Sequence, residues 1–289
     1  MILLHSLLLA VQLQSPVDSL ALELERKIAE VPGAKVAVAY VDDAKGKSLF
    51  LNADTVYHAA STMKVPVMME LFRQADAGGF TLDQPVLLVN QFRSIADGSP
   101  FSVGAGDDAD TSLYSRIGKR VPVRDLLQRM IVRSSNLATN QLIAMLGAES
   151  VTALIRKLGG QRMTVLRGVE DGKAYERGMN NVATARDLSI LLGAILNSRP
   201  EIGTHSRDML DILLAQEFNE KIPAGLPPGT MVAHKTGEIT AHSHDAAIVF
   251  PANRKPYTLV VLTRGIPDSK VSAALIADIS RIVYQFASK

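Results

Sequence analysis

Apolar residues recur at two different periods along this chain, and the change of period divides it into three parts. From Pro16 to Glu30, Val17, Leu20, Leu24 and Ile28 fall at helical spacing, with Pro16 suited to a first turn. After the break at Pro32-Gly33, Val36 to Val41 and Ser48 to Leu51 read as strands joined by the polar turn 42–46. Helical spacing then dominates a long middle. One run extends from about Ser61 to Ala77 and stops at Gly78-Gly79. Another follows Pro122 through Leu126, Leu127, Met130, Leu137, Leu142 and Met145, and further helices are predicted near 151–158, 184–195 and 206–214. Strand character returns at 231–236, 246–250 and 257–263, and 271–286 is an amphipathic helix. Asp97 to Gly118, rich in Gly, Ser and Asp, holds no sustained period and reads as a long surface insertion.

The simplest packing is an α+β (αβα) arrangement, in which both chain ends build one antiparallel sheet flanked by helices. The middle forms an all-helical lobe, and a cleft between lobes is a usual place for an active site. The expected division is 16–55 with 215–289 as the α/β lobe and 56–214 as the helical lobe. The apolar run Met1 to Leu13 is too short to span a bilayer and fits the core of a signal peptide covering 1–15, which predicts a secreted or periplasmic protein without a membrane anchor after processing. It lacks a preceding Lys or Arg and a clear small-x-small cleavage site. A buried N-terminal helix or a misassigned start explains the same residues.

Composition narrows the function classes. The 289 residues are 47% hydrophobic and 21% charged with a net charge of +2, an ordinary globular balance that calls for neither nucleic acid nor an anionic membrane. Tryptophan is absent and aromatics are few, against a base-stacking surface. With no cysteine, disulfides, thiolate metal sites and cysteine nucleophiles are excluded.

Three short constellations carry candidate chemistry. Ser61-Thr62-Met63-Lys64 puts a hydroxyl and an amine on one helical face within hydrogen-bonding reach, and a desolvated lysine can serve as the base that a serine nucleophile needs. Ser134-Ser135-Asn136 lies between two helical runs; its hydroxyl could relay a proton and its amide could hold a carbonyl. Lys235-Thr236-Gly237, after a strand, could bind a carboxylate and admit a substrate backbone. Each alone reads equally as an ordinary helix cap or solvated turn. His242-x-His244-Asp245 lacks a third spaced ligand and is better read as structural than as a metal pair. The basic run Arg116, Lys119, Arg120, Arg124, Arg129 and Arg133, without interleaved aromatics, is better read as a solvated helix face.

In this order the three motifs resemble the Ser-x-x-Lys, Ser-Asp-Asn and Lys-Thr-Gly set of class A β-lactamases and penicillin-binding proteins, over most of the chain from about Val17. The resemblance implies the β-lactamase/transpeptidase-like fold and a serine hydrolase. Ser61 would be acylated by the β-lactam carbonyl, Lys64 would take part in proton removal, and Ser134 would protonate the leaving nitrogen. Asn136 would bind the acylamido side chain, Lys235 and Thr236 the carboxylate, and Gly237 would let the substrate approach. The backbone N–H groups of Ser61 and Glu238 would form the oxyanion hole. Ser135 departs from the pattern, which usually has Asp there in a supporting role. For the acid that clears the acyl-enzyme, Glu170 matches the family spacing, 36 positions after Ser134, whereas Glu176 begins a local Glu-x-x-x-Asn ending at Asn180. Glu170 is the preferred candidate because the segment then leads into the helix near 184.

A β-lactamase is therefore expected. A penicillin-binding D,D-carboxypeptidase or transpeptidase with slow deacylation, and a non-catalytic penicillin-binding sensor, are the alternatives; the sensor predicts an anchor or partner domain for which the sequence has no candidate. The implied partner is a small β-lactam or cell-wall peptide as substrate of a monomeric protein, with no nucleic acid, metal or organic cofactor.

Overall fold

The computed structural model describes residues 15–289, so the apolar run at the start lies outside the described residues. Helix α1 (Pro16–Ala29) starts on a capping box in which Ser15 and Asp18 bond each other's backbone N–H. Strands β1 (Lys35–Asp42) and β2 (Lys47–Leu51) follow. The chain then leaves the sheet and returns as β3 (Met231–Ile239), β4 (His242–Phe250) and β5 (Tyr257–Arg264), before the closing helix α9 (Ser269–Ala287). The sheet order is β2-β1-β5-β4-β3, antiparallel throughout, so both chain ends build one sheet as the sequence pattern predicts.

The strands alternate their side chains between two apolar faces, which is why the central ones read as nearly unbroken hydrophobic runs. Val36, Val38, Tyr40, Leu259 and Val261 face one way, into a core shared with Leu20 and Leu24 of α1 and Leu275, Ile276 and Ile279 of α9. Ala37, Ala39, Ala246, Val260 and Leu262 face the other way, into a second core that runs on through the helical middle. Small side chains dominate that face, where helix α7 (Ala185–Leu196) packs with Leu188, Leu191 and Leu192 fully buried. The middle also holds α2 (Lys64–Asp76), α3 (Val123–Val132), α4 (Asn136–Leu146), α5 (Ala148–Leu158), the short α6 (Gly172–Glu176) and α8 (Ser206–Leu214). Among the described residues, no helix is long and apolar enough to cross a membrane.

Two expectations are corrected. The helix predicted from Ser61 starts instead at Lys64, and residues 60–63 form a 3₁₀ turn. Pro66 explains the shift: it has no N–H to give the Thr62 carbonyl, and its ring crowds that oxygen, so the preceding residues wind more tightly. The stretch 97–118 is exposed over most of its length but is more than a surface insertion. Val103, Asp108, Asp110 and Leu113 within it are buried, and it packs against the turn that opens α4. Buried Asp108 and Asp110 satisfy backbone groups from within a stretch whose composition is that of an exposed loop.

Candidate active site

The three constellations converge. Ser61 sits half-buried in the 3₁₀ turn, at the foot of two adjoining pockets of ≈350 and ≈310 Å³ that share Ser61, Asn136, Glu170 and Glu238. The turn is held from below. The Ala60 N–H donates to His58 Nδ1 at 3.0 Å, and the buried His244 donates from Nε2 to the His58 carbonyl at 2.9 Å. Burial pushes His58 down to about 4 and His244 down to about 3, so both rings stay neutral braces near neutral pH. Ala60 itself has φ 45°, a left-handed conformation unusual for a residue with a side chain.

Strand β3 passes directly beside this turn. A Cβ on Gly237 would lie 3.0 Å from the Ser61 nitrogen and 3.1 Å from that of Thr62, so a side chain there would force the turn to shift. Because β3 is the sheet edge, its outer side faces the cleft.

Lys64 is fully buried, and its Nζ donates to the Ser134 carbonyl at 2.7 Å, to Asn136 Oδ1 at 2.9 Å and to Ser134 Oγ at 3.2 Å. Among the described residues no hydrogen bond joins Lys64 Nζ to the Ser61 hydroxyl, contrary to the reach expected from the helical spacing; the acceptors of the second motif draw the amine across the cleft. Desolvation pushes Lys64 down to about 7, against the pull of Asp108 and Glu170. Lys235 is equally buried, donates to Ser134 Oγ at 3.1 Å, and is held well below the usual lysine range by desolvation and by the charges of Lys64 and Lys221. Ser134 Oγ thus receives both lysines, on a residue with φ 59°.

Glu170 lies in both pockets, and its Oε1 accepts from Asn136 Nδ2 at 3.2 Å. Desolvation and the neighbouring Asp107 push its carboxyl above the ordinary range. It too has a left-handed backbone, φ 60°. Glu176 ends α6, is exposed and lines neither pocket. Asn180, read as its possible partner, instead accepts from the Arg167 guanidinium at 3.1 Å.

The loop bearing Glu170 is tied by side chains. Asn181 Oδ1 accepts the N–H groups of Leu166 and Arg167, and its Nδ2 donates to the Arg167 carbonyl at 2.9 Å. Asn140 pairs both ways with the Val169 backbone, and a Cβ on Gly168 would lie 2.3 Å from Asn140 Oδ1.

Sequence reasoning missed several of these contributors. Lys221 is 1% exposed in the cleft wall and donates to Glu238 at 3.1 Å. Its segment is fixed by Asp245, which accepts the Ile222 N–H at 3.0 Å and pairs with buried His234 at 3.0 Å. Nothing in the polar run 217–221 distinguishes a buried lysine from a solvated one. Asp107 and Asp108 were hidden in the stretch read as an insertion. Of the discounted signals, His244 and Asp245 point to opposite faces of β4 and serve separate braces. Several members of the basic run are paired: Arg129 with Asp110 at 2.8 Å, Arg124 with Asp83 at 3.0 Å and Arg133 with Glu217 at 3.1 Å. Among the described residues no cluster of three or more metal-ligating side chains occurs.

The model of the β-lactamase enzyme family matches residues 19–287. This chain belongs to that family. The family expectation drawn from the three motifs therefore holds. β-Lactamase AST-1 of Nocardia asteroides is 28% identical over 262 residues, covering 87% of this chain and 78% of that protein. The structure of a β-lactamase from Sphaerobacter thermophilus is 25% identical, with a TM-score of 0.79, and covers 94% of this chain and 97% of its own. That of PBP-A is 26% identical with a TM-score of 0.78, covering 93% and 96%; a mutant of it is known as an acyl-enzyme complex with penicillin G.

Proposed function

We propose that this family member hydrolyses the β-lactam amide through an acyl-enzyme on Ser61. Ser61 Oγ attacks the carbonyl carbon while Lys64, its amine poised near neutrality by burial, takes the hydroxyl proton. The oxyanion is received by the N–H groups of Ser61 and Glu238. As the ring C–N bond breaks, Ser134 passes its proton to the nitrogen and recovers one from the lysines beside it. Asn136 holds the acylamido group, and Lys235, Thr236 and Lys221 hold the carboxylate, with Gly237 leaving room for the substrate. Glu170 then takes a proton from a water that attacks the ester, and Ser61 leaves with its proton restored. The cleft lies between a lobe of 16–55 with 215–289 and a lobe of 56–214.

The observation that carries this reading is Asn136, whose one amide joins Lys64 and Glu170. It couples the base of the first half-reaction to that of the second. The test is a chromogenic cephalosporin followed by steady-state turnover and covalent mass. Wild type should turn over steadily, and Glu170→Ala should accumulate the acyl-enzyme, with turnover down about 10²–10⁴-fold. A stoichiometric adduct without turnover in wild type would favour the second reading, a penicillin-binding D,D-peptidase that deacylates slowly. The likeness to PBP-A favours that reading, as does Ala174, buried four positions after Glu170 where the family's local pattern carries Asn.

The apolar start supports export to the periplasm or medium, where such hydrolysis would confer antibiotic resistance, and the reading is of an enzyme acting as a monomer.

A further inference from the structure

The second motif lacks its usual carboxylate, because Ser135 occupies that position, yet a carboxylate stands beside it in space. Asp108, 7% exposed, reaches in from the segment before α3. Its Oδ1 accepts the N–H groups of Asn136 and Asp110, both at 3.0 Å. Its Oδ2 accepts the N–H of Leu137 at 2.8 Å and the hydroxyls of Ser135 and Tyr114, both at 3.2 Å. Asn136 and Leu137 open α4, and their N–H groups have no partner inside the helix. Ser135 Oγ takes the Ala138 N–H at 3.2 Å. One helix start is thus capped by two residues from separate segments.

We infer that Asp108 is a positioning residue for the β-lactam reaction, supplying across space the carboxylate that position 135 lacks and so fixing Ser134 and Asn136 in register. This rests on the site reading above. Asp108 touches no reacting atom; it acts through the backbone of Asn136, whose side chain holds Lys64 at 2.9 Å and Glu170 at 3.2 Å and donates to the Asp107 carbonyl at 2.8 Å. Ser134 precedes that fixed residue in a left-handed conformation, φ 59°, which needs its neighbours to hold it. Without the carboxylate, the N–H groups of Asn136 and Leu137 lose their acceptor, and the turn is free to rotate away from both lysines.

A carboxylate that only stabilised α4 would give the same contacts, so the test moves the charge rather than deleting it. An aspartate at 135 is itself a good helix cap, and its side chain is long enough to reach the space Asp108 fills. Acylation of Ser61 by a chromogenic cephalosporin is measured per folded molecule in wild type, Asp108→Ser, Ser135→Asp and the double variant. Asp108→Ser should lose about 100-fold in acylation rate through misplacement of the turn. Ser135→Asp should lose about tenfold, since two carboxylates then share one buried site. The double variant should return to within about fivefold of wild type, a coupling that independent sites do not show. If Asp108→Ser folds poorly, Asp108→Asn keeps the volume, deletes the charge and takes its place. Wild-type acylation in Asp108→Ser, or a double variant no better than the product of its parts, would overturn the inference alone. Absence of labelling at Ser61 in wild type would overturn it together with the site reading.

Discussion

The two walls of the cleft are built by different means. On one wall, Lys235, Thr236 and Gly237 belong to β3, whose register with β4 is set by a continuous ladder, and Lys64 opens a helix buried in the main core. On the other, Glu170, Asp107 and Asp108 stand on irregular backbone, the Glu170 loop held by Asn140 and Asn181 and the Asp107 carbonyl by Asn136. The first wall's geometry is a by-product of the fold. The second wall's depends on individual polar contacts, each removable without touching the core. In the proposed mechanism Lys64 and the Lys235-Thr236-Gly237 segment therefore rest on regular structure, whereas Glu170, and the Ser134–Asn136 turn braced by Asp108, rest on local polar bonds.

Disturbing the regular wall should have the largest effect. Gly237→Ala drives a methyl against the Ser61 and Thr62 nitrogens, neither of which can yield without moving the nucleophile. Acylation should fall by about 100-fold, measured by burst kinetics, while the melting transition stays cooperative. Asn181→Ala tests the other wall. It strips acceptors from Leu166 and Arg167 and should cost about 1–3 kcal/mol of stability in denaturant titration, and slow deacylation more than acylation. Equal slowing of both steps would show that the walls are not independent.

The smallest effect is electrostatic. In the proposed mechanism deacylation uses ionised Glu170, so its rate should fall as pH drops through that raised pKa. Asp107→Asn removes one of the causes of the rise, and the acid limb should move to lower pH in a pH–rate profile. In the same mechanism acylation uses neutral Lys64 and should rise with pH through about 7, with or without Asp107. A shift of that limb as well would merge the two titrations into one coupled system.

The same division explains what the sequence disclosed. Ser61, Lys64, Ser134, Asn136 and Lys235 sit in short motifs whose spacing is local, and the sheet from both chain ends follows from a change of hydrophobic period. The start of α2 was misplaced because the apolar pattern continues through Pro66, whereas backbone bonding does not. Asp108 and Lys221 were invisible for a different reason. The bond from Asn136 to Asp108 joins residues 28 apart, and Lys221 is read as solvated until the fold buries it. A polar residue whose partner is distant leaves no periodic trace.

Ala60, Ser134 and Glu170 share a backbone conformation that side chains ordinarily avoid, and each is at or beside a group assigned a role in the proposed mechanism. Glycine at any of them would relieve the twist and let the segment relax. Selection for heat resistance and selection for turnover therefore pull these three positions in opposite directions, and a lineage under both pressures would have to gain its robustness elsewhere, in the sheet and helices far from the cleft.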